Sequence, residues 1–303
     1  MIHQKVARGA FCFWTAIGRP WGGIRPRRLA FAAAQRAFTE RPEGKDFRLF
    51  VDRWGNRFLL NPYFHIDTEM LITGTYEWPL QRFLTRSIAS GDVVVDVGAN
   101  IGAMSFTMAK ACGPSGLVLA VEPFADVRKR LQKHVELNSP HRVRIIPTAL
   151  SNFTGTASLH IAEPDTRNSG QSSLEPVPSA KGAITVEVAT LDDLVSEQGL
   201  RKIALVKCDI QGGEPRLLQG ASNTLQNHRP LITTEVSPTD LKAAGFSPSE
   251  FLNAVKSFDY RLFLIDPKGR LSYEIFPEQV PDDQWYSVVV GVPSETARGS
   301  VFR

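Results

Sequence analysis

The run VVVDVGANIG at residues 93–102 constrains the fold more than any other stretch of this chain. Val93–Val97 has the composition of a parallel strand covered on both faces. It ends in small residues, Gly98, Ala99, Asn100 and Gly102, after which Ile101, Met104, Met108 and Ala111 recur at helical spacing. Strand, tight turn and helix therefore follow one another without a linker. The pattern repeats: Leu117–Val121 reads as a second strand ending at Glu122 and Pro123. Residues 124–138 then form an amphipathic helix with Phe124, Val127, Leu131 and Val135 inward. Val143–Ile146, residues 157–161, 203–208, Leu231–Val236, 262–265 and 288–292 read as further strands, with helices beginning near Pro215 and Pro248. Such alternation predicts an α/β fold, an about seven-stranded, mostly parallel sheet with helices on both faces.

A chain of 303 residues has room for one large domain with an appendage. The expected division is a basic leader over 1–45, an accessory hairpin and lead-in segment over 46–90, and the main domain over 91–293. The hairpin is read from two short apolar runs flanking the turn DRWGN at 52–56. Hydrophobic residues at 43% and charged residues at 22% exclude a wholly disordered or collagen-like chain. The net charge of +4 is unevenly spread: residues 1–39 hold seven Lys and Arg and no acid, which leaves 28 basic against 31 acidic residues beyond them. A nucleic-acid groove needs positive charge on the body of the protein, so DNA and RNA are not expected as partners.

Three readings of the leader stay open: a frayed basic segment, which is preferred, a cleaved targeting segment, and a docking arm. As an arm, Phe11, Phe13, Trp14 and Trp21 would anchor it peripherally on a membrane or on a protein. Its apolar run over residues 10–18 is well short of the ~20 residues that span a bilayer. Cys12, Cys112 and Cys208 form neither a disulfide framework nor a metal motif, so no metal is expected and the chain reads as cytoplasmic.

The glycine turn alone is a weak signal; its acidic neighbours sharpen it. A pyrophosphate cradle would read GxGxxG, whereas here Asn100 replaces the second glycine and Asp96 precedes the turn. Carboxylates repel a pyrophosphate and suit a cationic ligand such as S-adenosylmethionine, and Glu122, at the end of the second strand, is placed to accept hydrogen bonds from two ribose hydroxyls. A nicotinamide-dependent oxidoreductase remains a weaker alternative. Residues 163–183, rich in Ser, Pro and Gly, read as an irregular stretch that is either disordered or a lid.

Taken in order, VVVDVGANIG, AVEPF, HVELN, TALSN, NSGQSSL, TLDDL and VKCDIQGGEPRLLQGA resemble the FkbM family of S-adenosylmethionine-dependent methyltransferases over about residues 70–240. The resemblance implies a class I, Rossmann-like methyltransferase that O-methylates a hydroxyl on a carbohydrate or secondary metabolite. By position it implies that Asp96, Gly98, Ala99, Asn100 and Gly102 line the methionine end of the cofactor and that Glu122 and Pro123 meet its ribose. Asn138, Leu150 and Ser151 would lie on the adenine side, with Tyr76 and Glu77 in the segment ahead of the first strand. The sequence departs from the family at Gln211, where KxDxEGxE has Glu, and a Gln cannot serve as a base. A non-catalytic relative that keeps the fold is therefore a competing reading.

Ligands of open α/β sheets bind at the carboxyl ends of the strands, where Asp209 and Glu235 are the nearest acidic residues of the later strands; Asp209 is the preferred candidate for general base or acceptor anchor, with Lys207 and Glu214 beside it. Cys208 alternates to the other face and reads as packing, His65 as structural. NPYF at 61–64 imitates a motif of amino-group methyltransferases but falls outside the fourth strand, where that motif belongs.

Overall fold

The computed structural model describes residues 46–162, 172–176 and 180–302, with isolated positions between 29 and 38. The leader's anchors and the first part of NSGQSSL lie outside the described residues. Strands β1 (Arg48–Val51) and β2 (Arg57–Leu60) form the expected antiparallel hairpin. Its turn is held by Asp52, whose Oδ1 accepts from the Trp54 and Asn56 backbone N–H groups at 2.8 Å. Two helices that the sequence pattern does not announce follow, α1 (His65–Thr73) and α2 (Trp78–Ser87).

The main sheet comprises β3 (Val93–Val97), β4 (Leu117–Val121), β5 (Val143–Ile146), β9 (Leu205–Cys208), β10 (Leu231–Val236), β11 (Tyr260–Ile265), β12 (Leu271–Ile275) and β13 (Tyr286–Pro293), in the order β12-β11-β13-β10-β9-β3-β4-β5. Pairings among β5, β4, β3, β9 and β10 are parallel, while β13 runs antiparallel between β10 and β11. The sheet thus has eight strands; β12 is an extra edge hairpin on β11. Residues 157–161 do not join it. They belong to β7 (Gly155–Ala162), which pairs with β8 (Ala180–Ala189) and, through it, with β6 (Ala149–Leu150) in a separate three-stranded sheet. Residues 180–183 are therefore strand, and the irregular stretch ends earlier than the sequence suggests.

Helices α3 (Ala103–Cys112) and α4 (Ala125–Leu137) cover one face. The other carries α5 (Leu191–Glu197), α6 (Glu214–Gln219), α7 (Ser222–His228), α8 (Pro238–Ala243) and α9 (Pro248–Lys256). The helix expected from Pro215 is split in two at Gly220, where the Ser151 carbonyl approaches so closely that a Cβ would sit 2.1 Å from its oxygen.

The interior forms on both faces of the sheet. Val95, Leu119, Val206 and Ile232 pack with Leu217, Leu225 and Phe251 on one side; Val94, Met104, Met108 and Val290 pack with Leu80, Phe83 and Leu84 on the other. Each such side chain contributes ~1.5–3 kcal/mol on burial. In a further cluster Phe58, Leu60 and Met70 of the segment over 46–90 pack against Ile101, Phe106 and Leu131. Asp67, fully buried, pairs with Arg130 at 2.6 Å and ties α1 to α4. Among the described residues no helix is long and apolar enough to cross a membrane.

Candidate active site

The order in which the chain lays down its strands reverses between β3 and β9, so neighbouring strands there carry their crossovers to opposite sides. A crevice opens at such a point beyond the strand ends. Here it is a cavity of about 360 Å³, within the ~300–1,000 Å³ of small-molecule sites. The predicted Tyr76, Glu77, Gly98, Ala99, Asn100, Glu122, Pro123, Leu150, Ser151, Lys207 and Asp209 all line it.

The turn after β3 and the turn after β9 touch. A Cβ on Gly98, whose φ is +76°, would lie 2.1 Å from the Asp209 carbonyl oxygen. Lys207 crosses the same gap, its Nζ 3.1 Å from the Gly98 carbonyl and 3.3 Å from Asp96 Oδ1. Burial works against the ammonium, but Asp96, Asp209 and Glu77 outweigh it and push its pKa up. Lys207 is thus a permanently charged strut, committed to the wall.

Glu122 is buried at the end of β4. Its Oε2 accepts from the Asn100 N–H at 3.0 Å and its Oε1 from the Phe124 N–H at 2.8 Å. It therefore caps its own turn, and each oxygen keeps further acceptor capacity toward the cavity. Burial raises its pKa to about 7.

The opposite wall is acidic. Glu77 rises to about 8, through burial and then the neighbouring Asp209. Glu235, at the end of β10, rises to about 7 for the same two reasons, and its Oε1 accepts from the Trp285 indole N–H at 2.7 Å. Asp209 has both oxygens engaged: Oδ1 accepts from the Gln211 side-chain amide at 2.9 Å, and Oδ2 lies 3.7 Å from the Lys207 ammonium. Gln211 thus has a positive role at this position, donating where a Glu would set a second negative charge against Asp209. Glu77, Asn100 and Gln211 have φ of 43°, 49° and 53°. All three line the cavity, and left-handed non-glycine residues, each costing ~1–3 kcal/mol, collect where function holds them.

Four sequence candidates are placed elsewhere. Asn138 lies away from the cavity: its Nδ2 donates to the Arg57 carbonyl at 2.7 Å and its Oδ1 accepts from the Arg57 N–H at 2.8 Å, clamping α4 to the hairpin. Asn138→Ala should accordingly cost about 1–3 kcal/mol of stability, read by chemical denaturation, and leave ligand affinity within twofold. Glu214 faces its own loop, accepting from the Ile210 and Gly212 N–H groups at 2.8 and 2.9 Å, so it shapes the Asp209 turn from beneath. Asp96 is fully buried behind the wall, accepting from the Ser105 hydroxyl and facing Lys207. Gly102 is the residue before α3 and packs against Phe106 and Leu131.

Three further contributors are undervalued by sequence reasoning. His65 reads as structural from the sequence yet lines the cavity, and Glu235, ranked second to Asp209 in the sequence, lines it as well. The third is the described end of NSGQSSL, which forms a wall: the Ser173 hydroxyl, buried, donates to the Ile210 and Gln211 carbonyls at 3.1 and 2.9 Å. Glu175 beside it accepts from Arg216 at 2.6 Å. That the motif ends in two serines near a glycine is visible in the sequence; that it docks on the Asp209 turn is not.

An acidic wall, a committed ammonium and a buried carboxylate after β4 fit S-adenosylmethionine, which carries a sulfonium and an ammonium. They do not fit a pyrophosphate, for which no uncommitted Lys or Arg lines the cavity among the described residues. Nor do the described residues contain a cluster of metal-ligating side chains.

The chain is similar to known methyltransferases. The model of the methyltransferase FkbM domain matches residues 96–262. The hexuronic acid methyltransferase AglP of Haloferax volcanii is 30% identical over 155 residues, 48% of this chain and 56% of that protein. The match therefore spans little more than half the length of that relative. The 2-O-methyltransferase NoeI of Sinorhizobium fredii is 27% identical over 181 residues, 55% of this chain and 72% of that protein. Among solved structures, the FkbM methyltransferase of Methylobacillus flagellatus is 19% identical with a TM-score of 0.43, covering 67% of this chain and 43% of that one.

Proposed function

The chain belongs to the FkbM methyltransferase family, and from that premise we propose that it transfers a methyl group from S-adenosylmethionine to a hydroxyl of a carbohydrate or secondary metabolite. The observation that carries the reading is the pairing, across one cavity, of the Gly98–Glu122 side with the acidic Glu77–Asp209–Glu235 side. Sugar acceptors are favoured by the names of two relatives, a hexuronic acid methyltransferase and a 2-O-methyltransferase. The non-catalytic alternative rests on Gln211, and the hydrogen bond from Gln211 to Asp209 supplies a working role for that residue.

The bound cofactor supplies an electrophilic methyl group. The chain's residues have three tasks. Tyr76, Leu150 and Leu174 wall off water on the apolar side. The carboxylates of Glu77 and Asp209 favour the positive charges of the ligand, and Glu122 accepts from its hydroxyls. The acceptor hydroxyl must also lose its proton as its oxygen bonds to carbon. We assign that proton to Glu235 rather than to Asp209: burial and Asp209 raise the Glu235 carboxyl to about 7, in the range of a working base, whereas the Asp209 oxygens are already engaged by Gln211 and Lys207. Asp209 is then the anchor of the acceptor.

The test is transfer of labelled methyl from S-adenosylmethionine to a panel of methyl glycosides; a folded protein that binds the cofactor but methylates no hydroxyl would favour the non-catalytic alternative. Cofactor binding should depend on Glu122. Its folded pKa is raised to about 7, so protonation competes with hydroxyl binding below that pH and affinity should rise as pH increases through about 7. Glu122→Gln should weaken binding about 10–100-fold at pH 8, the worth of hydrogen bonds to a charged acceptor, and flatten that rise.

A further inference from the structure

Beside the cofactor cavity lies a second, more open one of about 350 Å³, lined by Glu77, Leu80, Ile265, Asp266, Trp285 and Ser287. A narrow gap whose lining includes Glu77, Asp209, Glu235 and Ser287 draws its residues from both. Glu77 lines all three spaces, so it stands at the threshold between them. Trp285 is 54% exposed, a large cost in apolar surface for a side chain whose indole N–H is nevertheless fixed by Glu235. A hydrogen bond fixes the indole N–H of this half-exposed side chain, and the group that accepts it is the carboxylate proposed above as the base.

We infer that this second cavity is the acceptor subsite, that it takes an uncharged pyranoside ring stacked on the Trp285 indole, and that it rejects a uronate. The inference rests on the methyltransferase reading and names its substrate class. A pyranose presents a C–H face that packs on an indole, while its rim hydroxyls need acceptors of the kind Glu77, Glu235 and Ser287 provide. Charge decides between sugars. Among the described residues no Lys, Arg or His lines the second cavity, and Asp266 is already paired with Arg270 at 2.7 Å. A hexuronate carboxylate would enter a space bordered by Glu77 and Asp266 with no free cation to meet it. A carboxylate desolvated there without a partner is the rejecting element. Trp285 also couples the two sites, because a ring stacked on the indole is held next to the carboxylate that bonds its N–H. Trp285 is a positioning residue: it acts on the acceptor's placement, not on the reacting proton.

Saturation-transfer NMR on the full chain with S-adenosylhomocysteine bound tests this, using methyl β-D-glucopyranoside, methyl β-D-glucuronide and catechol as probes. Calorimetry of S-adenosylhomocysteine accompanies each variant. The expected result is a ring C–H signal for the glucopyranoside in wild type, at least fivefold weaker in Trp285→Ala, largely kept in Trp285→Phe, and weak for the glucuronide throughout. S-Adenosylhomocysteine affinity should stay within twofold in both variants, which also reports that they fold. A glucopyranoside signal unchanged by Trp285→Ala, a glucuronide signal equal to or above it, or a Trp285-dependent signal from catechol alone would overturn the subsite while leaving the methyltransferase reading intact. Failure of wild type to bind S-adenosylhomocysteine would remove both, and is seen directly in the calorimetry.

Discussion

Gly98→Ala should lower stability by about 2–4 kcal/mol, combining the left-handed strain of a non-glycine residue with overpacking of a rigid site. In a chain of this size that is a fall of several degrees in Tm. The obstacle is backbone: the new Cβ would meet the Asp209 carbonyl at 2.1 Å, and no side chain can swing aside to relieve it. The turns after β3 and β9 must part, which moves Asn100 away from Glu122 and Lys207 away from the Gly98 carbonyl. Affinity for S-adenosylmethionine should therefore fall more than the stability change alone would suggest, by about 100-fold if two charge-assisted contacts are lost. Gly245→Ala is the control. Its φ of +86° carries the same strain, with nothing within 4 Å of the added Cβ, so it should cost about 1 kcal/mol and leave binding unchanged. Equal effects of the two substitutions would show that the close contact of the two turns is not what shapes the site.

Glu235→Gln should reduce kcat by about 10²–10⁴-fold, the usual contribution of a positioned general base, with cofactor affinity within a few-fold of wild type. The shape of the pH profile is the stronger readout. A base must be ionised to accept a proton, so kcat should climb with pH through about 7, where burial and Asp209 have raised the Glu235 carboxyl. The introduced amide is isosteric with the carboxylate and can still accept from the Trp285 indole, so geometry persists while the limb near 7 disappears. Asp209→Asn should instead raise KM more than it lowers kcat, because that residue anchors. If Asp209→Asn removes the limb and Glu235→Gln does not, the two roles are exchanged. Glu77, raised to about 8, also titrates in this range, and the variants separate its contribution.

How much of this is legible in the sequence depends on where each residue's partners lie. The strands β3, β4, β9 and β10 are readable because both of their faces are covered, which forces continuous apolar runs. β8 and β12 are not: each has a face toward solvent, and β8 opens with Ala180 and Gly182, which carry little β signal. Sequence pattern assigns 157–161 to the main sheet because a strand's period does not say which sheet it joins. In the site, Gly98, Asn100 and Glu122 announce themselves through local spacing, since turn and strand end are fixed by their own neighbours. Asn138 misleads for the opposite reason: its partner, Arg57, lies 81 residues away, and its motif looks the same whether it faces a ligand or a hairpin. Glu214 and Asp96 belong to the neighbourhood of the site but sit one layer behind the surface, which only the geometry of the Asp209 turn and of Lys207 reveals. Trp285 and Glu235 are joined across 50 residues and have no shared motif to link them.

The central claim is the identity of the ligand in the main cavity, and it is tested most directly by titrating the wild-type chain calorimetrically with S-adenosylmethionine and, separately, with NADH. The acidic wall and committed Lys207 predict saturable one-site binding of S-adenosylmethionine and none of NADH at equal concentration. Binding of NADH with a spectral shift, or no binding of S-adenosylmethionine to a protein that circular dichroism reports as folded, would contradict it.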